Sequence, residues 1–165
     1  AMQKQLANAW DLYTKGYPDG AVLKNPYQLL ILASIVEKET GQASERGMIS
    51  AVFHNRLKKG MMLQTDPTVI YGIGPKFDGD IKKADLRRDT PYNTYMRFGL
   101  PPTPIAMPSK ESLLAAAQPA VSNALYFVAR GDGSSQFSTN LKEHEAAVDR
   151  YQRNPAKSVS KPVRK

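Results

Sequence analysis

The chain has 165 residues, 41% of them apolar and 23% charged, usage that fits one compact domain and excludes a fibrous, collagen-like or wholly disordered protein. It contains no cysteine, so disulfide frameworks, thiolate metal sites and cysteine nucleophiles are excluded. The formal charge of +8 invites a polyanionic partner, yet residues 1–149 hold 17 Lys and Arg against 15 acids, and six basic residues crowd the positions from Arg150 onward.

In chain order, Leu6, Trp10, Leu12 and Tyr13 predict an amphipathic helix over 3–16, ended by Gly16 and Pro18. After a loop, Asn25, Pro26 and Gln28 form a helix start with a cap, a first-turn proline and a reach-back side chain; this helix runs to about Thr40 and stops at Gly41. Ser44 can cap a third helix, which Gly60 ends. From Met61 to Pro108 the chain reads as mostly irregular, with one turn of helix near Pro67–Tyr71; so long a stretch, rich in tyrosine, points to function. A helix capped by Ser109 follows, then a strand at 125–129, a turn at Arg130–Gly133 and a strand at 136–139. Asn140 and Glu143 open a last helix to about Gln152, and the remainder reads as a disordered basic tail. The expected class is α+β, mainly helical, with a small β-hairpin.

The apolar stretch around Leu29–Val36 is far short of the ~20 residues that cross a bilayer. On a helical wheel Glu39 lies within roughly 40° of the mean apolar direction of the second helix, while Glu37 lies on the other flank, roughly 120° from that direction. An acid that continues an apolar stripe at a helix C-terminus is poorly placed to hold a negative charge, which favours the protonated carboxyl a general acid requires. The bland reading is a solvated Glu at a fraying end, paired with Lys38 or Arg46.

The blocks Ala33-Ser34-Ile35-Val36-Glu37-Lys38-Glu39-Thr40, Val52-Phe53-His54-Asn55-Arg56-Leu57, Leu63-Gln64-Thr65-Asp66-Pro67-Thr68, Tyr92-Asn93-Thr94-Tyr95 and Gly99-Leu100-Pro101-Pro102 stand in one order, followed by Leu125-Tyr126-Phe127-Val128 and Phe137-Ser138-Thr139-Asn140. Together they resemble the catalytic domain of the endolytic murein transglycosylase family, the YceG-like proteins, over about residues 25–152. Thr103 departs from the pattern, where the family has Gly after Leu-Pro-Pro. The resemblance implies a lysozyme-like domain at 25–152, with residues 1–24 leading into it and 153–165 as tail. It also implies a bacterial cell-envelope protein anchored in the inner membrane by a segment upstream of this sequence, with the domain in the periplasm or outside the cell. Its partners would be peptidoglycan glycan strands and the cell-wall synthesis machinery, with no cofactor.

Glu39, the second Glu of Glu-Lys-Glu, is then the catalytic residue. It would act as acid and then base, cleaving the β-1,4 bond between N-acetylmuramic acid and N-acetylglucosamine and leaving a 1,6-anhydro end. Gln64, Thr65 and Asp66 offer amide, hydroxyl and carboxylate groups to a sugar. Asp66 is either a second catalytic carboxylate or, ahead of Pro67, a helix cap, the reading that the Asp-Pro step favours. Tyr92, Asn93, Thr94 and Tyr95 mix aromatic faces with hydrogen bonders that suit carbohydrate, or pack a loop. Ser44 and Glu45 stand close enough to shape the pocket. No metal site is expected, because His144-Glu145 lacks a second histidine and His54 is isolated. No nucleic acid is expected either, because the basic residues are not interleaved with aromatics; the alternative is a non-catalytic binder of cell-wall glycan or another acidic polymer.

Overall fold

In a computed structural model, which describes residues 2–18 and 21–153, Asn25 opens the helix around which the molecule is arranged. Its Oδ1 accepts the Gln28 amide at 2.9 Å, and Pro26 fills the first turn, where a missing N–H costs nothing. Gln28 reaches back past the cap to the Lys24 amide (2.8 Å). The resulting helix α2 (Pro26–Glu39) is buried at every position from Ile31 to Val36, Ser34 included. Six consecutive buried residues exceed a helical turn, so this part of α2 has no solvent face and must be covered on all sides.

The cover comes from α1 (Met2–Gly16), α3 (Arg46–Lys59), α4 (Asp66–Ile73) and α6 (Lys110–Ala117). Leu29, Leu32, Ile35 and Val36 of α2 meet Tyr13, Ile49, Phe53 and Leu113 in one core. Polar bonds fix the register. Ser34 Oγ accepts the Ile105 amide (3.0 Å) while donating to the Ile31 carbonyl (2.6 Å). Glu37 Oε1 accepts the Ser109 amide (2.9 Å) and the Ser112 hydroxyl (2.7 Å) at the start of α6, where the helix dipole favours a negative charge. Ser109 caps α6 as expected, its Oγ accepting the Ser112 amide at 3.2 Å.

Gly60 ends α3 with a φ of 71°, the left-handed conformation glycine adopts without steric cost. The stretch after it is more regular than the sequence predicts: α4 is two turns, a 3-10 turn spans Gly74–Lys76, and a short helix α5 occupies Lys83–Arg87. Near-absent periodicity hid these pieces. Strands β1 (Tyr126–Ala129) and β2 (Ser135–Ser138) pair antiparallel with Phe127 opposite Phe137, and the Arg130–Gly133 segment turns between them. Asn140 caps α7 (Leu141–Val148), its Oδ1 accepting the Glu143 amide at 2.9 Å, and the chain continues as a π-helical turn over Asp149–Arg153. The fold is thus α+β and mainly helical. No helix among the described residues is long and apolar enough to cross a membrane. The expected basic tail lies almost wholly outside the described residues.

Two buried or bridging groups tie stability to pH. His54 on α3 stacks against Tyr13 and Tyr17 and bonds the Ala116 carbonyl through Nε2 (2.7 Å); burial pushes its imidazole below the ordinary value. Glu37 is held below the ordinary carboxylate range by the Ser109 amide and then the Ser112 hydroxyl. In both cases the unfolded chain takes up the proton first, so stability is complete above the unfolded value and declines as pH falls below it. Urea midpoints measured against pH should therefore fall in two steps, beginning near about 6.5 for His54 and about 4.3 for Glu37. Glu37→Gln, which keeps an acceptor oxygen, should shrink the lower step, leaving the part due to the likewise depressed Asp78, Asp89 and Asp132, and cost about 1 kcal/mol at neutral pH, given the exposure of the site.

Candidate active site

Glu39 is the last residue of α2, and its part-buried carboxylate accepts a hydrogen bond on Oε2 from Thr65 Oγ1 at 2.5 Å. Thr65 is itself held on three sides. Its amide donates to Thr94 Oγ1 (3.0 Å), its carbonyl accepts Thr68 Oγ1 (2.9 Å), and the Thr68 and Thr94 hydroxyls lie 2.9 Å apart. These three threonines are buried, so their polar groups satisfy one another and leave the Thr65 hydroxyl aimed at Glu39. Beside them Gln64 adopts a φ of 53°, a left-handed conformation that costs a non-glycine residue about 1 kcal/mol, and its amide donates to the Thr94 carbonyl at 3.2 Å. Its exposed side chain lines the same cavity as Glu39.

Asp66 does not cap α4. The cap residue is Thr65, whose hydroxyl is spent on Glu39, while Asp66 Oδ1 accepts the Tyr95 phenol at 2.5 Å. Asp66 stays out of the cavity wall and Tyr95 enters it. Burial, then the Asp66 carboxylate, raise the Tyr95 phenol far above its ordinary value, so it remains a neutral donor.

Of the other sugar-binding candidates, Asn93, Thr94 and Tyr92 do structural work. Buried Asn93 donates from Nδ2 to the carbonyls of Leu86 (3.0 Å) and Arg88 (2.7 Å), and its Oδ1 accepts the Tyr95 amide (2.9 Å). Thr94 lies beneath Thr65. Tyr92 packs its ring 5.0 Å from Tyr71 and shares a hydrogen bond with Thr103 Oγ1 (2.7 Å). The threonine that departs from the family pattern is thus a partner for a tyrosine.

Ser44 neither caps α3 nor lines the cavity; it is exposed in a 3-10 turn, Ala43–Glu45, and α3 starts without a side-chain cap. Glu45 reaches across the molecule instead, its Oε2 accepting the Ser135 amide of β2 at 2.9 Å. Next to this tie, a Cβ on Gly41 would stand 3.0 Å from the Gly133 carbonyl oxygen, so the loop after α2 and the hairpin tip touch backbone to backbone.

The cavity encloses about 220 Å³ between the end of α2, α3, β1 and α7. Sequence reasoning named Glu39, Gln64 and Tyr95 among its walls and missed Arg56, Tyr126, Phe127, His144 and Glu145. Tyr126 stands between Arg56, whose guanidinium carbon is 4.9 Å from the ring centroid, and the stacked ring of His144 at 4.8 Å. A larger groove of about 740 Å³, beside Tyr27 and the Gly99–Pro102 loop, has no acid in its walls. The smaller cavity combines carboxyl groups with aromatic faces and amide, phenol and guanidinium donors, a set suited to acid–base chemistry on a polyhydroxylated ligand.

The structural assignment of Asn93 is testable. Asn93→Ala should lower stability by about 2 kcal/mol in chemical unfolding, because it strands the Leu86 and Arg88 carbonyls.

A 46% identical relative over 125 residues is the endolytic murein transglycosylase of Bacillus subtilis, matched by 76% of this chain and 34% of its own length. The endolytic murein transglycosylase of Streptococcus pneumoniae is 35% identical over 127 residues, 73% of this chain and 23% of that protein. A crystal structure of a yceG-like protein from Listeria monocytogenes superposes with a TM-score of 0.73 at 40% identity, covering 86% of this chain and 43% of the other. The chain therefore spans only 23–34% of the length of these curated relatives. The model of the YceG-like family matches residues 1–150, so the chain belongs to the YceG-like family.

Proposed function

We propose that this domain is a lytic transglycosylase that cuts peptidoglycan glycan strands internally, at the β-1,4 bond between N-acetylmuramic acid and N-acetylglucosamine. The observation that carries the reading is the Glu39 carboxyl, part-buried at the end of a helix whose middle has no solvent face and fixed by the Thr65 hydroxyl in a cavity wall. The names of the relatives point to the same chemistry.

In this reading protonated Glu39 gives its proton to the leaving O4 as the glycosidic bond breaks. The muramic C6 oxygen then bonds to C1, and ionised Glu39 takes the proton of that hydroxyl. No water enters and the product carries a 1,6-anhydro ring. Thr65 holds Oε2 in place through both steps, while Tyr95 and Gln64 offer hydrogen bonds to the sugar. Residues 25–152 would form the lysozyme-like catalytic unit. The full protein would work in the cell envelope, held at the inner membrane by a segment upstream of residue 1 and acting beside the cell-wall synthesis machinery.

One observation favours a second outcome. Glu145 of α7 lines the same cavity, and a second carboxylate is what a hydrolase requires. Mass spectrometry of digested glycan strands separates the two, with anhydro ends expected and reducing ends overturning the transglycosylase reading. Glu39→Gln should reduce strand cleavage at least about 10³-fold, and unimpaired cleavage by this variant would remove Glu39 from the mechanism. Thr65→Val should lower kcat about tenfold with KM little changed, since it frees one oxygen of the acid without touching the sugar.

A further inference from the structure

Arg56 is a buried guanidinium, 7% exposed, in the wall of the cavity that holds Glu39. Its Nε donates to the Leu125 carbonyl and its Nη1 to the Met62 carbonyl, each at 2.7 Å, and its flat face covers the Tyr126 ring. Among the described residues Arg56 forms no ion pair: the two salt bridges, Lys82–Asp78 and Arg97–Asp89, lie elsewhere. Burial pulls the guanidinium's pKa down, yet arginine stays charged throughout the physiological range.

Two carbonyls and a ring face do not call for a full charge, since a neutral amide could donate to the same carbonyls. A desolvated cation without a counter-ion is costly, and three of its five N–H donors remain for another acceptor. The cavity thus has a fixed positive wall beside its acid. A neutral N-acetylglucosamine residue makes no use of such a wall. A muramic acid residue differs from it by a 3-O-lactyl arm ending in a carboxyl group, and that arm supplies the missing acceptor.

We propose that Arg56 reads the lactyl carboxyl of a muramic acid residue seated beside Glu39, and so sets the preference of this site for murein over chitin-like glycan. The inference rests on the transglycosylase reading above. A free lactyl carboxylate accepts two parallel N–H bonds from a guanidinium, whereas a lactyl group amidated by a stem peptide offers a single carbonyl oxygen, so strands without peptide bind more tightly at this position.

The test is calorimetric titration of the Glu39→Gln protein with three tetrasaccharides at low and high salt. These are chitotetraose, a GlcNAc–MurNAc dimer of disaccharides with free lactyl carboxyls, and the same glycan with its lactyl groups amidated by alaninamide, which carries no carboxylate. The free acid is expected to bind at least about tenfold more tightly than chitotetraose, with the amidated form between them and the advantage shrinking as salt rises. Adding Arg56→Lys should abolish most of that advantage, lowering affinity for the free acid far more than affinity for chitotetraose, with thermal unfolding as the check that the variant is folded. Equal affinity for the three ligands, or an advantage that survives in folded Arg56→Lys, overturns the inference and leaves the transglycosylase reading standing. Failure of all three to bind overturns both. Should Arg56→Lys not fold, the ligand series on the Glu39→Gln protein decides by itself.

Discussion

The rest of the molecule depends on the middle of α2 having no face of its own in water. Between Ile31 and Val36 every side chain is buried, so α1, α3, α4 and α6 must close around it and the helix cannot roll or slide without opening the core. That constraint carries through to chemistry. A carboxyl on the last turn of a solvent-facing helix would sample many positions, whereas Glu39 is delivered to one place by the packing of Ile31–Val36, the six buried residues that end one turn before it. Glu37, two residues earlier, is locked by Ser109 and Ser112, so the end of the helix is fixed by a polar brace as well as by apolar contact.

Around that fixed point the polar groups form a layered arrangement. Thr94 and Thr68 hold Thr65, and Thr65 holds Glu39; Asn93 holds the Tyr95 backbone, and Asp66 holds its phenol. The loop residues that read as sugar binders are therefore mostly the support for two that reach the cavity, Tyr95 and Gln64. Such support matters because an acid catalyst misplaced by an ångström loses much of its rate. The positive charge of Arg56 sits on the same support, tied to the backbone on either side of the cavity at Met62 and Leu125.

The parts of this architecture that obey local rules were legible in the sequence. Asn25, Ser109 and Asn140 cap their helices, Gly60 ends α3, and Arg130–Gly133 makes the turn of a hairpin, because each depends on neighbours within four residues. The wheel singled out Glu39, yet for a reason only partly right: Ile31–Val36 is covered on all sides, and Glu37 is engaged too, by Ser109 and Ser112. What failed was non-local. Ser44 and Asp66 carry the residue types of helix caps, but Ser44 lies in a separate 3-10 turn and Asp66 finds a tyrosine 29 positions away. Arg56, Tyr126 and His144 come from three elements distant in the chain, and no spacing rule could have placed them together; the aromatic pair Tyr126-Phe127 in a predicted strand was the one available sign.

The contact between Gly41 and Gly133 has a mechanical consequence. The loop leaving α2 rests directly on the hairpin tip, and Glu45 ties the same loop to β2, so the wall that bears Tyr126 and Phe127 is referenced to the helix that bears Glu39. A methyl group at position 41 would act as a wedge, tilting the hairpin away from α2. The spacing between acid and aromatic wall is thus gauged by an atom that glycine lacks, and the hairpin, far along the chain, works as a caliper set against the end of α2.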